Sequence, residues 1–441
     1  MSLLSLLAAC EGPQYFGDTG ASDAGGTIQG LSVEQAELVG QVYTLSWGTA
    51  EALPGRVQAR YDGEIVLTSP WSEATTEHVV DLVGLKPNRL YELQVQVQDG
   101  DEVLSSRRIE AETGGIPSWL PELEVSSSQP PEGLFMTPVY LGDPGNEAHG
   151  IVLYDTDGDV VWHTEEASLD TIQTTVSRDG SQLIHLDTQA LVWRNWRGEE
   201  TRRFEHEQIH HSFAELPDGT MGLIFVHPTE YGGDYWLDQS MVELAPDGTV
   251  ETVWTSSEHL DAMGIDADDW TDVRKFGHAN ALSWLEEEDA WLLGLSEWGV
   301  VVAVSRSTGE VLWSINTAGG GTLEFSGGAP WTMQHRLELR DDALLAYVNS
   351  TEDSQCARAV EVELDHAAST ATQVWSYEGG TCHSTFALGY AQRLPDDHRL
   401  VTWSTSGVIE VIDAADEPVL KFATDFGYAF GYGEWIDRSG W

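Results

Sequence analysis

From residue 134 onward one small pattern recurs six times: a polar turn, a strand-length run, and a large aromatic at its end. The copies are "DTDGDVVW" ending at Trp162, "NWRGEETRRF" at Phe204, "APDGTVETVW" at Trp254, "RSTGEVLW" at Trp313, "HAASTATQVW" at Trp375 and "DAADEPVLKF" at Phe422. Successive aromatics stand 42 to 62 residues apart, and several short runs with polar turns fill each interval. A unit of that size buries its apolar face only by stacking on the next copy, which is how propeller blades read in sequence. No interval carries a sustained 3.6-residue apolar period, so α/β alternatives are disfavoured. The chain is all-β on this reading, and residues 134–441 form a six-bladed β-propeller.

Residues 28–113 are organised differently. Short alternating runs ("YTLSWGTA", "RVQARYDGEIVL", "EHVVDLVGL", "YELQVQVQDGDEV") separated by turn residues predict a small antiparallel sandwich. In "LKPNRLYELQVQV", Tyr91 follows a Leu-x-Pro turn and resembles the tyrosine corner of fibronectin type III domains, with Trp47 as the core tryptophan. The module carries no cluster of reactive side chains and reads as a spacer. Residues 114–133 read as a Gly/Pro/Ser linker with one short ordered piece, and residues 1–27 as a signal remnant with a flexible tether.

Acidic residues outnumber basic ones 73 to 21, for a formal charge of −52. Nucleic acids and anionic membranes bind through Lys and Arg neutralising phosphate, so neither is an expected partner. Leu7-Ala8-Ala9-Cys10 resembles a bacterial lipobox, and a Gly/Ser/Asp-rich tether follows. The expectation is an exported protein, periplasmic or on the cell surface, held to the membrane only through lipid on Cys10. The apolar stretch before Cys10 is short and has no basic segment, which a start further upstream accounts for. Beyond it nothing approaches the ~20 apolar residues of a membrane-spanning helix. In an exported protein Cys356 and Cys382 become disulfide candidates, with a pair of buried thiols as the alternative.

The first strand of each propeller blade lines the central channel. Four segments carry such a strand: "HHSFAELPDG", "GHANALSWLEEED", "QHRLELRDDA" and "GYAQRLPDDHR". Aligned on their turns, His211, His335 and Gly389 share one level, and His278 lies close by. Three blades therefore aim imidazoles at one region of the channel. Strand alternation decides whether His210 or His211 faces inward, and the turn alignment favours His211.

The chain resembles the bacterial PAPS-independent arylsulfate sulfotransferases through "IVLYDTDGDVVW", "HHSFAELPDG", "HANAL", "STGEVLW", "QHRLELRDDALLAYVN" and "GYAQRLPDDHRLVTW", in the family's order. The resemblance implies a six-bladed propeller behind a sandwich, and a ping-pong transfer. A histidine takes the sulfuryl group from an aryl sulfate donor and passes it to a phenol acceptor, with no cofactor. It implies His335 as nucleophile, with His211 (or His210), His278 and Asn280 in support; Gln334, Arg274 and Asn349 join His210 as expected substrate contacts. Imidazole is a nucleophile near neutral pH, and its neighbours can donate hydrogen bonds to sulfuryl oxygens.

One departure stands out. Where the family has Ser-Ser-Arg, with the arginine on the sulfuryl group, this chain reads Ser296-Glu297-Trp298. Arg274, Lys275 and Arg336 are the cations near enough in sequence to replace it. Without a replacement the chain is a catalytically inactive surface propeller that binds a ligand or partner at the channel mouth. Other motifs count for less. "DTDGD" (155–159) lacks the closing Glu of a calcium loop and reads as a hairpin turn. Clustered imidazoles, with His383 added, are possible transition-metal ligands, but no H-x-H or H-E-x-x-H spacing supports a site, and no metal is expected.

Overall fold

The computed structural model describes residues 26–143, 146–165, 173–187, 189–231, 234–266, 277–351, 355–425 and 427–437. Cys10, Arg274 and Lys275 lie outside these residues.

The six repeats are six sheets arranged as propeller blades, antiparallel except that Glu324–Ser326 joins blade 5 in parallel as an added outer strand. The aromatic that ends each repeat sits on a blade's outermost regular strand: Val160–Glu165, Glu200–Glu205, Val250–Thr255, Val311–Asn316, Thr370–Tyr377 and Pro418–Ala423. Its polar turn closes the hairpin just before that strand, where exposed Asp and Gly supply turn geometry. Blades 2 to 6 begin with inner strands Thr174–Val176, Ile209–Glu215, Ala279–Leu285, Gln334–Arg340 and Tyr390–Arg393.

Blade 1 is assembled from both ends of the propeller chain. The late strands Tyr428–Phe430 and Glu434–Ile436 pair with Leu134–Asp143 and supply the blade's inner edge. The linker also contributes, because Glu124–Ser127 pairs with Pro418–Ala423 as an added outer strand of blade 6. Ring closure thus ties residues 124–143 to residues 418–436. Apolar side chains of neighbouring blades interleave between the sheets. Trp313 and Trp331 pack with Leu337 and Val360 between blades 4 and 5, for example. Close approach is tight enough to dictate residue type at Gly222, where a Cβ would fall 2.3 Å from the ring of the fully buried Trp291.

The N-terminal module is two facing sheets, one of Ile28–Gln35, Tyr43–Leu53 and Thr75–Leu82, the other built around Gly55–Tyr61 and Leu90–Asp99. Trp47, Tyr43, Tyr91 and Val95 fill its core. The Tyr91 hydroxyl accepts the Lys86 backbone N–H at 2.9 Å, which is the hydrogen bond a tyrosine corner makes.

This module is docked on the propeller. Val39, Val42 and Val83 join Leu153, Trp162 and Trp196 in one apolar cluster across the junction. The Lys86 ammonium enters the "DTDGD" turn and contacts Asp155, Asp157 and Asp159 at 2.9, 2.6 and 2.7 Å. The segment is the expected turn, with Asp155 accepting the N–H of Asp157 and of Asp159. Its three carboxylates share a lysine from the neighbouring module.

Candidate active site

Three inner strands are interrupted at one level by β-bulges. Register shifts fall between His210 and Phe213 in blade 3, between Ala279 and Ala281 in blade 4, and between His335 and Leu337 in blade 5. Around them His211, His278, Met333 and Arg336 take left-handed backbone angles, with φ of 48°, 49°, 61° and 43°. Such angles are costly for residues with a Cβ, and bulges of this kind commonly re-aim side chains beside functional sites. Here they break the strict in–out alternation, so that His210 and His211, adjacent in sequence, lie together rather than on opposite faces. Their ring centroids are 3.8 Å apart.

The imidazoles of His210, His211 and His278 converge, each offering a nitrogen within 4.8 Å of the others. His211 Nε2 and His278 Nε2 are 2.7 Å apart. One of these nitrogens must carry the proton and the other a lone pair, so at least one ring of the pair is neutral. His210 Nδ1 lies 3.4 Å from the Ala279 carbonyl. Burial, with the His278 ring adding to it, pulls the His210 imidazole down to about 4. His211 is held well below the ordinary range by burial and then by His210, His278 and His335.

His335 stands beside this cluster. Its Nδ1 is 3.1 Å from the Met333 carbonyl, an oxygen that only accepts, so Nδ1 carries the proton and Nε2 the free lone pair. Its ring meets Tyr432 edge-on at 6.1 Å. Burial lowers its pKa to about 4; the Met333 contact works against that shift and the His278 ring works with it. Asn280 is fully buried, and both polar atoms of its amide lack a partner, as does His211 Nδ1. A buried amide with no partner is expensive unless something arrives to bond it.

Ser296 organises the cluster from behind. Its hydroxyl donates to the His278 carbonyl at 2.9 Å, and its own carbonyl accepts the Met333 N–H at 2.7 Å. The Ser-Glu-Trp segment therefore splints the His278 and His335 strands together. Trp298 packs over Gly277, where an added Cβ would lie 3.1 Å from the indole. Glutamines lock the blades at the same level: Gln173 to the backbone of Phe213 and Gln239 to the N–H of Ala279.

Several expected residues are elsewhere. Gln334 donates to the Val300 carbonyl at 2.8 Å across the blade 4–5 junction, and its Oε1 is buried without a partner. Asn349 spends its amide N–H groups on Thr385, and its Oδ1 is buried without a partner. Arg336 does not reach the imidazoles. The bulge turns it toward Tyr390, whose ring lies 5.2 Å below the guanidinium, and toward Glu434. His383 stacks on Trp403 at 4.6 Å, away from the cluster. Cys356 and Cys382 are bonded, with Cα atoms 5.0 Å apart. Sequence reasoning missed Ser296 as a splint, and it missed Tyr432, whose hydroxyl donates to the Asn280 carbonyl at 3.0 Å. Only the ring closure reveals the second, since Tyr432 is 152 residues from its partner.

These features define a six-bladed propeller with a histidine-lined channel site. The arylsulfotransferase (ASST) family model matches residues 124–421, more than half of the chain, and the protein belongs to that family. Membership supports an arylsulfotransferase-type activity on aryl sulfate and phenol substrates. No curated protein matches the chain in sequence. Among solved structures it is similar to a Bacteroides caccae protein of unknown function, with 14% identity, 68% of this chain and 98% of that one covered, and a TM-score of 0.44. It is also similar to virginiamycin B lyase from Staphylococcus aureus, with 11% identity, 71% and 98% covered, and a TM-score of 0.40. The Neurospora crassa Pan2 WD40 domain follows with 10% identity, 68% and 85% covered, and a TM-score of 0.35.

Proposed function

We propose that the protein transfers a sulfuryl group from an aryl sulfate to a phenol through a sulfohistidine on His335. The observation that carries this reading is the state of the His335 ring: neutral, with Nδ1–H held on the Met333 carbonyl and Nε2 left as a lone pair beside two further imidazoles. In the first half-reaction Nε2 attacks sulfur, the sulfur–aryl oxygen bond breaks, and the phenolate leaves with the bonding pair. The imidazolium-like sulfohistidine is stabilised by the Met333 carbonyl. In the second, the acceptor's oxygen attacks sulfur and the nitrogen–sulfur pair returns to Nε2. The acceptor's proton passes to the departed phenolate or to solvent. Asn280 contacts a sulfuryl oxygen, which satisfies the amide otherwise buried without a partner, and the His210–His211–His278 cluster stands beside it.

The test is a turnover assay with p-nitrophenyl sulfate as donor and a second phenol as acceptor. Repeated turnover of p-nitrophenol that requires the acceptor, after a single stoichiometric release without it, supports the reading. Ligand binding at the channel mouth with no turnover of any aryl sulfate replaces it with the surface-binding propeller. We infer the location from separate observations. The lipobox-like Leu7-Ala8-Ala9-Cys10, the tether and the Cys356–Cys382 pair support an exported protein anchored through lipid on Cys10. Intact-mass analysis of membrane-extracted protein checks this, and an unmodified chain still starting at Met1 counts against it.

A further inference from the structure

An anionic sulfuryl group develops further charge on its oxygens during transfer, and among the described residues no cation reaches the place where it would sit. Trp298 occupies the position of the family's arginine, and Arg336 is turned toward Tyr390 and Glu434. What the site does hold is three imidazoles from two blades. We propose that His210, His211 and His278 bind one divalent transition-metal ion, with zinc the best fit, and that this ion supplies positive charge next to His335. The proposal rests on the transfer reading for its role, but not for its geometry.

Three arguments support the site. The ligand nitrogens lie between 2.7 and 4.8 Å of one another, which brackets the spacing of about 3.3 Å that zinc–nitrogen bonds of about 2.0–2.1 Å impose in a tetrahedron. The 2.7 Å His211–His278 contact requires a bare lone pair on one ring, and a metal replaces the single shared proton with bonds to both. His210 already has the outer partner that ligating histidines usually have, since its Nδ1 faces the Ala279 carbonyl and leaves Nε2 for the metal. Three protein ligands leave a fourth position for a sulfuryl oxygen, as in open catalytic zinc sites. The sequence offered the imidazole cluster without a spacing motif to support it, because His210 and His278 meet only through adjacent bulges.

The experiment uses the full chain, stripped with a chelator and dialysed, then titrated with Zn²⁺ alone by calorimetry. Co²⁺ serves as a visible-spectrum probe of nitrogen ligation. The expected result is one equivalent bound with sub-micromolar affinity and Co²⁺ bands of a histidine site. His210→Ala and His278→Ala each weaken binding by more than about 100-fold, since losing an outer partner alone costs roughly 10–100-fold. His335→Ala binds as the wild type does and shows that a channel substitution leaves the fold intact. The stripped protein should transfer sulfuryl poorly and regain activity with Zn²⁺. Absent stoichiometric binding, or binding indifferent to the histidine substitutions, overturns the site. Equal turnover of stripped and loaded protein overturns the proposed role, and loss of that turnover in Arg274→Ala would identify the cation instead. Binding with the expected histidine dependence, but no turnover in either form, supports the metal site and counts against the transfer reading.

Discussion

At the scale of single residues, the account turns on which atoms are left free. His335 has one ring nitrogen committed to the Met333 carbonyl and one available, so His335→Ala removes the carrier itself and transfer should fall to background in the donor–acceptor assay. Asn280→Ala is different. It removes one donor to the sulfuryl oxygens and should lower kcat by roughly 10²–10³, the cost of losing a single strong oxyanion contact. Equal, complete loss in both variants would contradict the division of roles. The depressed histidines also fix a pH dependence. With His335 lowered to about 4, the nucleophile stays unprotonated well below the usual imidazole value of 6.5. The acid limb of kcat/KM should therefore lie nearer pH 4 than 6.5, and a limb at 6.5 in the pH–rate profile would show that His335 is not desolvated as described. Residue types at these positions were readable in the sequence, and His211, His278 and His335 do approach one another. The directions of Gln334, Asn349 and Arg336 were not. Each lies next to a bulge or at a blade junction, where one inserted residue reverses which face a side chain meets.

At the scale of elements, bulges, splints and latches position the site. The repeating turn–strand–aromatic unit made the outer strands legible, because an exposed turn and a large buried ring leave a strong local mark. The inner strands of blade 1 left almost none: Tyr428–Phe430 and Glu434–Ile436 are three residues each and are defined by their partner. Nor did the sequence disclose that the supposed spacer is fastened down. Lys86 is only 18% exposed at its side chain and satisfies three carboxylates at once. Lys86→Met should leave those carboxylates facing one another and cost on the order of 1 kcal/mol, since only the Asp155 contact is largely buried and Asp157 and Asp159 are screened by solvent. Differential scanning calorimetry, read on the transition that includes the N-terminal module, checks this; an unchanged melting profile would mean the apolar contact alone holds the junction. The Cys356–Cys382 bridge closes a loop of 26 residues, which by chain entropy is worth about 3.5 kcal/mol. Cys356→Ser should lower stability by that order in denaturant titration and leave the imidazole cluster unaltered.

At the scale of the whole molecule, the charge of −52 opposes the approach of any aryl sulfate, while the propeller ring holds strands from three blades rigid enough to keep neutral imidazoles in contact. Screening should then help rather than hinder. Added monovalent salt should raise kcat/KM for an anionic donor, since long-range repulsion fades as the Debye length shrinks from about 30 Å at 0.01 M to about 8 Å at 0.15 M. A fall with salt would place an attractive cationic entrance in front of the channel. Blade number followed from the sequence because six stacked copies repeat one physical solution. The meeting of His210 with His278 did not, because it depends on how far neighbouring blades rotate about the common axis. The central claim is that His335 becomes the covalent carrier at the mouth of this ring. Its most direct test is to mix the protein with an aryl sulfate and no acceptor, quench under alkaline conditions, and map the mass of each peptide. The account predicts a gain of one SO₃ group on the peptide containing His335, lost again when a phenol is added before the quench. An unmodified His335 peptide from protein that has released phenol, or the group on another residue, would contradict it.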